Sequence, residues 1–375
     1  MSLMELAGQP WRLERYPPGG DPSLQAWEAA DEYLMQVLAQ TPPPPGPLLI
    51  FNDGFGALGC WLHARAPLSI SDSFLAQEAA RRNWQANGLA PEQLQQQDSL
   101  APLPAAPACV LIKIPKTLAL LEHQLAALRT VVTPQTRILA AAKARDIHSS
   151  TLALFERYLG PTHTSLAWKK ARLIHCELDP ALAPQAAPYP TVWPLEETDY
   201  RILNHANVFS RGSLDIGARF FLAHLPGNRL GTIADLGCGN GVLGLMALAR
   251  NPEAELLFVD ESHMALASAR ENVTANRPQD LARCQFRLGN CLAGVAPGSL
   301  ATVLCNPPFH QQQAITDHIA EQMIRDAHRS LAKGGELWLI GNRHLGYHHR
   351  LKRQFGQVET VASQPKFVLL RAIKP

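Results

Sequence analysis

The chain contains a long internal repeat, and no other feature limits its architecture as strongly. The run Phe-Gly-Ala-Leu-Gly at residues 55–59 matches Asn-Gly-Val-Leu-Gly at residues 240–244, 185 positions later. A second pair of similar segments lies 189 positions apart, and residues 110–116 fall opposite residues 303–309, 193 positions apart. Small loop insertions explain a spacing that grows slowly in one direction. Because 375 residues exceed one typical domain, the repeat predicts two copies of one module.

Each half is predicted to form a doubly wound α/β module. Short apolar runs alternate with stretches of helical periodicity, which is typical of a mainly parallel sheet covered by helices. Residues 180–190 contain four prolines and four alanines, so they are interpreted as a linker between modules at 1–185 and 190–375. In the second half, strands are predicted at 232–236, 255–260, 285–288, 301–305, 336–341 and 367–373, and helices at 241–249, 263–275 and 314–331.

A glycine-rich turn, Asp-Leu-Gly-Cys-Gly-Asn-Gly at residues 235–241, lies between a predicted strand and a predicted helix. Such a turn lets a ligand approach the backbone closely, although dinucleotide-binding folds use similar turns. Two acids favour S-adenosylmethionine instead: Asp235 can attract its cationic groups, and Asp260, at the next strand end, can bind ribose hydroxyls. Each acid also has a structural interpretation. Asp235 can be a loop-stabilising carboxylate, and Asp260 can cap the next helix together with Ser262. The candidate cofactor residues are Asp235, Gly237, Cys238, Gly239, Asp260 and Asn290, the last either beside adenine or simply in a turn.

The tetrapeptide Asn306-Pro307-Pro308-Phe309 follows a predicted buried strand at residues 301–305. Two prolines remove two backbone donors and fix φ, so the strand exit is rigid. The Asn306 side-chain oxygen and the Pro307 carbonyl can accept hydrogen bonds from an exocyclic amine and direct its lone pair toward a methyl donor. Phe309 can stack on the base. The candidate catalytic residues are therefore Asn306, Pro307 and Phe309, with a turn cap for Asn306 and a core position for Phe309 as the structural alternatives.

The first module is predicted to be a catalytically inactive copy. By the repeat, Ile50 stands opposite Asp235, and Asn52 stands opposite Gly237. Lys-Ile-Pro-Lys at residues 113–116 replaces the Asn-Pro-Pro-Phe tetrapeptide, which removes the amide and the aromatic ring. Each replacement removes a group that the methylation chemistry needs.

Basic residues follow the strand predicted at 336–341. Residues 342–353 contain arginines, a lysine and histidines but no acid, so phosphate contact is one interpretation and a solvated helix face is the other. The same two interpretations apply to a pair of lysines in the first half. The candidate RNA-binding residues are Arg343, His344, Arg350, Lys352, Arg353, Lys169 and Lys170.

Composition narrows the remaining classes of function. The net charge of +2 gives no global electrostatic preference for nucleic acid, so any RNA-binding surface must be local. The seven cysteines are scattered without a C-x-x-C pair, and the histidines lack partners at metal-ligand spacing, so neither disulfides nor a metal site is expected. Without a signal pattern or an apolar run of about 18 residues, no membrane contact is expected and the protein is predicted to be cytoplasmic. No obligate protein partner is indicated.

The glycine turn, Val-Asp-Glu-Ser at 259–262, Asn-Pro-Pro-Phe-His at 306–310 and residues 209–219 together resemble the bacterial ribosomal RNA guanine-N2 methyltransferases. The resemblance covers nearly the whole chain. It implies two tandem duplicated class I, Rossmann-like methyltransferase modules with mainly parallel seven-stranded sheets, the first of them degenerate.

The resemblance also implies a substrate and roles for particular residues. Segments of the first half, including residues 25–33 and 112–122, resemble the branch of the family that acts on the large ribosomal subunit. The expected reaction is therefore the S-adenosylmethionine-dependent N2-methylation of one guanine in 23S rRNA, with the first module binding or orienting the RNA. The residues that the resemblance assigns are Asn306 and Phe309 for the base, and Asp235, Gly237 and Asp260 for the cofactor.

Several other interpretations of the sequence stay open. A guanine-N2 methyltransferase of 16S rRNA is the alternative within the family, because the residue chemistry does not distinguish the two ribosomal subunits. The tetrapeptide could also serve adenine-N6 in DNA or a glutamine amide in a protein, although those enzymes do not usually carry a degenerate twin module. A nucleotide-dependent oxidoreductase would leave residues 306–309 unexplained. A non-enzymatic RNA-binding assembly factor fits the first half but not the intact site in the second.

Overall fold

The computed structural model describes residues 2–6, 8–19, 23–308 and 313–375. The chain divides into two compact units, Met1–Tyr189 and Pro190–Pro375. Each unit contains a seven-stranded sheet with helices against it and a separate two-stranded hairpin before it in the chain. Within the described ranges, no helix is both long enough and apolar enough to cross a membrane.

The first unit has a mainly parallel sheet in the order β5-β4-β3-β6-β7-β9-β8, with only β9 and β8 antiparallel to their neighbours. Its central strands, at residues 48–51 and 109–113, are almost continuous apolar runs because both faces of the sheet are buried there. The elements are β1 (Ser2–Leu6), β2 (Gln9–Leu13), α1 (Ala29–Gln40), β3 (Leu48–Phe51), α2 (Ala57–Trp61), β4 (Leu68–Ile70), α3 (Phe74–Ala86), β5 (Gln95–Gln97), β6 (Cys109–Lys113), α4 (Leu118–Arg129), β7 (Arg137–Lys143), α5 (Ser149–Tyr158), β8 (Thr162–Thr164) and β9 (Ala171–Cys176).

The second unit has the same arrangement, with strand order β14-β13-β12-β15-β16-β18-β17. The strands β18 and β17 are antiparallel to their neighbours, and the others are parallel. The elements are β10 (Thr191–Pro194), β11 (Arg201–Asn204), α6 (Ile216–Ala223), β12 (Thr232–Leu236), α7 (Val242–Arg250), β13 (Glu255–Asp260), α8 (His263–Asn276), β14 (Cys284–Leu288), β15 (Leu300–Cys305), α9 (Gln313–Ser330), β16 (Leu331–Asn342), α10 (Tyr347–Phe355), β17 (Gln357–Ser363) and β18 (Phe367–Ile373).

Two buried asparagines show how closely the units correspond. Asn83 in α3 accepts a hydrogen bond from the backbone that follows β2 (2.8 Å) and donates to the Phe55 carbonyl (2.8 Å). Asn272 in α8 likewise accepts from the backbone of β11 (2.7 Å) and donates to the Asn240 carbonyl (2.9 Å). In both units the asparagine ties the hairpin and the turn to one helix. The predicted duplication is confirmed, as are the predicted α/β class and the mainly parallel seven-stranded sheets.

Most predicted elements of the second unit are observed within one residue of their predicted bounds, and the largest difference is the start of β16, predicted at residue 336 and observed at Leu331. The helix predicted to end at residue 331 ends at Ser330, because Leu331 begins β16 and pairs with Leu300 of β15. Apolar periodicity alone does not separate a buried helix end from a buried strand start. The hairpin β10–β11 and the edge strand β17 were not predicted. Cys284, expected to flank a strand, is the first residue of β14.

The side chains of the second sheet alternate between two apolar layers. Leu304, Trp338 and Ile340 belong to the layer packed with α6, α7 and α8. Val303 and Leu337 belong to the opposite layer, packed with α9 and α10. Because successive strand residues point to opposite faces, these assignments fix which polar side chains at the strand ends share a face.

Candidate active site

The glycine turn after β12 leaves open space above its backbone. Gly241, with φ of +77°, begins α7, and a Cβ there would lie 2.7 Å from the Cβ of Ala269 in α8. That contact explains why the chain needs glycine at this position. A Cβ on Gly239 would meet no described atom within 4 Å. The turn is therefore closed on the side of α8 and open at Gly239, where a ligand can lie against the backbone.

Asp235, near the end of β12, is buried beneath this turn with 1% of its surface exposed. Its Oδ2 accepts a hydrogen bond from the Gly244 amide of α7 at 2.8 Å. Burial raises the pKa of Asp235 to about 7, opposed by that hydrogen bond and reinforced by the nearby charge of Asp260. The loop-stabilising interpretation of Asp235 is therefore confirmed, and any attraction for a cationic ligand must act through its charge rather than through an exposed oxygen.

Asp260 lies at the carboxyl end of β13 and is half-buried. Its Oδ2 accepts from the Gly239 amide (2.9 Å) and its Oδ1 accepts from the Ser262 amide (3.0 Å). Ser262 in turn caps α8, because its Oγ accepts from the Ala265 amide at 3.1 Å. The structural interpretation is thus confirmed, and the same bonds hold a carboxylate at the open side of the glycine turn.

Two other candidate cofactor residues are buried beside the turn. The Cys238 side chain packs in the core layer of α6 and α7, so only its main chain is available to a ligand. Asn290 follows β14, and its Oδ1 accepts from Nε2 of Gln322 in α9 at 3.0 Å. Gln322 was not predicted, because only the tertiary fold brings α9 against the end of β14.

Asn306 and Pro307 follow β15 directly, next to the glycine turn, since β15 pairs in parallel with β12. Asn306 is half-buried, and its Oδ1 is shielded from water with no hydrogen-bond partner among the described residues. A buried acceptor without a donor costs about 1–3 kcal/mol, and native structures seldom leave one unexplained. Pro307 is buried and Pro308 is exposed, while Phe309 lies outside the described residues. The structure thus leaves the Asn306 oxygen unsatisfied at the strand end beside the glycine turn.

The basic segment runs from the carboxyl end of β16 along α10. Arg343 and His344 are exposed immediately after Asn342, at the same sheet edge as Asn306. Arg350 is half-buried, with its guanidinium 5.7 Å from the centre of the Tyr347 ring. The other cationic residues of this segment, Lys352 and Arg353, are exposed in the last turn of α10.

Lys352 lies toward the opposite edge of the sheet. It lines a cleft of about 550 Å³ together with His348 and with Arg371 and Ile373 of β18. Ile373 pairs with Glu336, near the amino end of the regular part of β16. The sequence thus groups basic residues that the structure distributes between the two edges of the sheet. Arg371, whose cationic side chain joins the cleft, was not predicted because it lies in an apolar strand.

Lys169 and Lys170 lie in the first unit, in the turn between β8 and β9. Both are exposed and both have positive φ, 46° and 65°. The Lys169 ammonium lies 2.6 Å from a carboxylate oxygen of Glu32 and 4.7 Å from the centre of the Trp168 ring. One of the two candidate cations is therefore already paired within its own unit.

Lys113 of the first unit occupies the position that corresponds to Asn306. The register shows this, because Leu111 pairs with Ile50 as Leu304 pairs with Asp235. The Lys113 ammonium is buried, 2.7 Å from Asp31 and 3.5 Å from Glu28. An ion pair therefore fills the place where the second unit keeps an unpaired amide oxygen.

The cofactor side of the first unit is altered as well. Ser71 stands where the second unit has Asp260, since Ser69 pairs with Ile50 as Phe258 pairs with Asp235. Asn52, in the place of Gly237, donates to the Lys113 carbonyl at 2.9 Å. The first unit therefore has no acid at the position of Asp260, and the Asn52 side chain bonds across the turn that corresponds to residues 235–241. The predicted degeneracy of the first module is confirmed.

One feature of the lost site is retained by a different residue. Asp53 lies in the turn, three positions after Ile50, and its Oδ2 accepts from the Gly59 amide of α2 at 2.9 Å. Gly59 corresponds to Gly244 in the repeat. Burial raises the pKa of Asp53 to about 7, with the charge of Asp31 acting in the same direction. The buried carboxylate therefore stabilises the start of the helix in both units.

Comparisons with known proteins agree with this architecture. Residues 1–180 match the family model described as the RLMG N-terminal domain, and residues 199–371 match the Methyltransferase small domain. The ribosomal RNA large subunit methyltransferase G of Aeromonas salmonicida (strain A449) is 60% identical over 375 residues, covering 100% of this chain and 99% of the relative. The protein of the same name from Klebsiella pneumoniae (strain 342) is 61% identical over 376 residues, with the same coverage.

A solved structure has the same fold over the whole length. It is a T. thermophilus 16S rRNA N2 G1207 methyltransferase in complex with AdoMet and guanosine, with a TM-score of 0.78 and 20% identity, covering 100% of this chain and 98% of that chain. At this identity the likeness establishes the fold alone: two tandem methyltransferase-like modules. The sequence relatives establish more, and the chain belongs to the ribosomal RNA large subunit methyltransferase G family.

Proposed function

We propose that the second unit transfers the methyl group of S-adenosylmethionine to the 2-amino group of one guanine in 23S rRNA. The observation that carries this proposal is the buried, unpartnered Oδ1 of Asn306 at the strand end beside the glycine turn. A base amine has the N–H donors that this oxygen lacks. The choice of large-subunit RNA rests on the names of the relatives, which are large subunit methyltransferases.

The residues around the glycine turn fit the methyl donor. The space above Gly239 admits a ligand against the backbone, and the carboxylate of Asp260 can accept hydrogen bonds from ribose hydroxyls. When ionised, Asp235 adds negative charge beneath the turn, which favours a cation over a pyrophosphate. Gly237 and Cys238 offer their main chain, and Asn290 lies at the neighbouring strand end, where adenine can be recognised. When bound, S-adenosylmethionine supplies a methyl group that its sulfonium already activates.

Asn306 and Pro307 act on the methyl acceptor. The lone pair of a guanine 2-amino group is delocalised into the ring, so the nitrogen is a poor nucleophile. Two acceptors on its N–H bonds, the Asn306 Oδ1 and the Pro307 carbonyl, favour a more tetrahedral nitrogen with its lone pair directed away from the ring. Phe309, outside the described residues, is proposed to stack on the base. The proton released by the amine can pass to water, and no strong base is required.

Basic residues are proposed to position the RNA. Arg343 and His344, at the carboxyl edge of the sheet, are placed for phosphates next to the reacting base. Arg350 would extend this contact along α10, and Lys352 and Arg353, in the last turn of that helix, would meet phosphates farther from the base. The first unit, with Lys169 and Lys170 exposed in one turn, is proposed to bind or orient the same RNA.

The test is methyl transfer from labelled S-adenosylmethionine to protein-free 23S and 16S rRNA, both from cells that lack this gene. We expect labelled N2-methylguanosine in the digest of 23S rRNA alone. Label in 16S rRNA alone would keep the chemistry but assign the protein to the small subunit, the substrate class of the T. thermophilus 16S rRNA methyltransferase. If neither RNA is labelled, the proposal for free rRNA is wrong.

The role of Asn306 is tested with Asn306→Ala in the same assay. Because Ala removes one of two acceptors at the transition state, we expect turnover to fall about 100-fold or more. The affinity for S-adenosylhomocysteine should change less than about threefold, since Asn306 contacts the acceptor and not the cofactor. The matched control is Gln285→Ala, which removes an exposed amide from the edge strand β14. Near-normal turnover by Asn306→Ala would remove Asn306 from the mechanism.

A further inference from the structure

Asn342 is the last residue of β16, and within the described part of the chain its side-chain oxygen is buried and unpaired, as that of Asn306 is. Its Oδ1 is shielded from water and has no hydrogen-bond partner among the described residues. Because β16 pairs in parallel with β15, the two asparagines lie at neighbouring strand ends. Several buried polar atoms of the described residues lack a partner, but only these two are amide oxygens at neighbouring strand ends beside the glycine turn, which favours one ligand for both.

The strand register places both oxygens on one face of the sheet. Cys305 pairs with Leu339, so Asn306 lies beside Ile340, and Asn342 lies two residues further along β16. The α carbons of the two asparagines are then roughly 8 Å apart, from a strand spacing of about 4.8 Å and a rise of about 3.3 Å per residue. By alternation, Asn306 shares the face of Leu304, and Asn342 shares the face of Ile340 and of its cross-strand partner Phe367.

The order of the strands shows what Asn342 can reach. Across the sheet, β13 and β12 carry the cofactor turn, β15 carries Asn306, and β16 carries Asn342. Asn342 therefore lies on the far side of Asn306 from the glycine turn. A ligand group that meets Asn342 belongs to the methyl acceptor, held at Asn306, rather than to the cofactor.

We propose that Asn342 selects guanine by accepting a hydrogen bond from its N1–H. This inference rests on the proposed function. The Watson–Crick edge of guanine presents the 2-amino group and N1–H side by side, both as donors, and two acceptors on one face match that pair. Adenine has an acceptor at N1, so it would place a lone pair against the Asn342 oxygen. A buried acceptor left unpaired or opposed by another acceptor rejects the wrong base.

The test uses RNA that differs from the substrate only at the methylated position. Once the labelled guanine has been located in 23S rRNA, a ligated fragment is prepared with either guanine or 2-aminopurine there. The analogue 2-aminopurine keeps the 2-amino group but has neither N1–H nor O6, so the part of the preference that Asn342→Ala abolishes is the part assigned to N1–H. We expect the wild-type protein to favour guanine in kcat/KM by about 10- to 100-fold, the range for one hydrogen bond to a buried acceptor. Asn342→Ala should lose most of its activity on guanine while its activity on 2-aminopurine stays nearly constant.

Two further variants separate recognition from folding. Asn342→Asp keeps an acceptor at the same place, so it should retain most of the preference for guanine. Gln285→Ala, remote in the strand order at the edge strand β14, should leave the preference unchanged. Equal activity of the wild type on the two bases, or an equal loss on both in Asn342→Ala, would overturn the role of Asn342 alone. If the wild type labels no guanine in 23S rRNA in the first assay, the proposed function fails and this inference fails with it.

Discussion

The buried carboxylate beneath the glycine turn makes the stability of this protein depend on pH in an uncommon direction. Asp235 is almost fully buried, and its pKa is raised from its ordinary value of 3.8 to about 7. The folded state therefore keeps a proton that the unfolded state loses near pH 4. Between those two values the folded state binds more protons, so the free energy of unfolding falls as the pH rises. The contribution is fully present below about pH 4 and is lost by about pH 7.

The size of the effect follows from the two pKa values. A difference of about three pH units corresponds to about 4 kcal/mol at 1.36 kcal/mol per unit. The substitution Asp235→Asn removes the charge while its side-chain oxygen can still accept from the Gly244 amide. The new amide N–H groups are themselves buried, which costs about 1–3 kcal/mol. We therefore expect Asp235→Asn to exceed the wild type in stability by about 1–3 kcal/mol near pH 8 and to lose that advantage near pH 5.

The assay is urea unfolding of both proteins near pH 5 and near pH 8, together with titration of S-adenosylhomocysteine at the higher pH. Asp53→Asn is the matched control, because Asp53 accepts from the corresponding helix amide and has a similarly raised pKa. Both variants should show the same pH-dependent gain in stability. Only Asp235→Asn should weaken cofactor binding, by about 5- to 30-fold, from the loss of one charge near a cation. A wild type as stable near pH 8 as Asp235→Asn, or weaker cofactor binding in Asp53→Asn, would refute this reasoning.

The remaining predictions concern packing and RNA affinity. Gly244→Ala should destabilise the protein by about 1–3 kcal/mol, because the new Cβ would lie 2.2 Å from the Phe258 ring and overpack the core. The corresponding change in the first unit, Gly59→Ala, brings its Cβ only to 3.5 Å from Asp53, so urea unfolding should show a change near zero or a small gain; equal losses would contradict the packing argument. Arg343→Ala should reduce the slope of log affinity for 23S rRNA against log salt by about one. Lys333→Ala, an exposed cation at the start of β16, serves as the control, and an unchanged slope in Arg343→Ala would exclude a phosphate contact.

The sequence predicts the second unit well because most residues of its inner strands are buried. Strands such as β12 and β15 are short apolar runs that end in a glycine turn or in prolines, and these signals are local. The edge strand β17 was missed because its side chains are half-buried or exposed, so its pattern carries little apolar signal. The hairpin strand β10 ends in Pro194, and proline argues against a strand in a sequence-based prediction.

Some features of the two sites depend on contacts that no local pattern contains. The first-unit carboxylate lies three residues later than in the second unit, so an alignment by position finds Ile50 opposite Asp235 and misses Asp53. The partner of Asn290, Gln322, comes from a helix far along the chain. The unsatisfied oxygens of Asn306 and Asn342 are visible only once the surrounding atoms are placed, because being unpaired is a property of the whole packing.

The ion pair in the first unit has a consequence for how this duplicated protein can change. Lys113→Asn would recreate the amide of the active copy, but it would leave Asp31, which is 4% exposed, without its buried counter-charge. Removing one partner of a buried pair costs about 3–5 kcal/mol, which is a large part of the stability of a typical domain. A single substitution at residue 113 therefore cannot make the first unit like the second, because α1 and β6 would have to change together. The interiors of the two units differ in charge as well as in shape, and that difference resists change at one position.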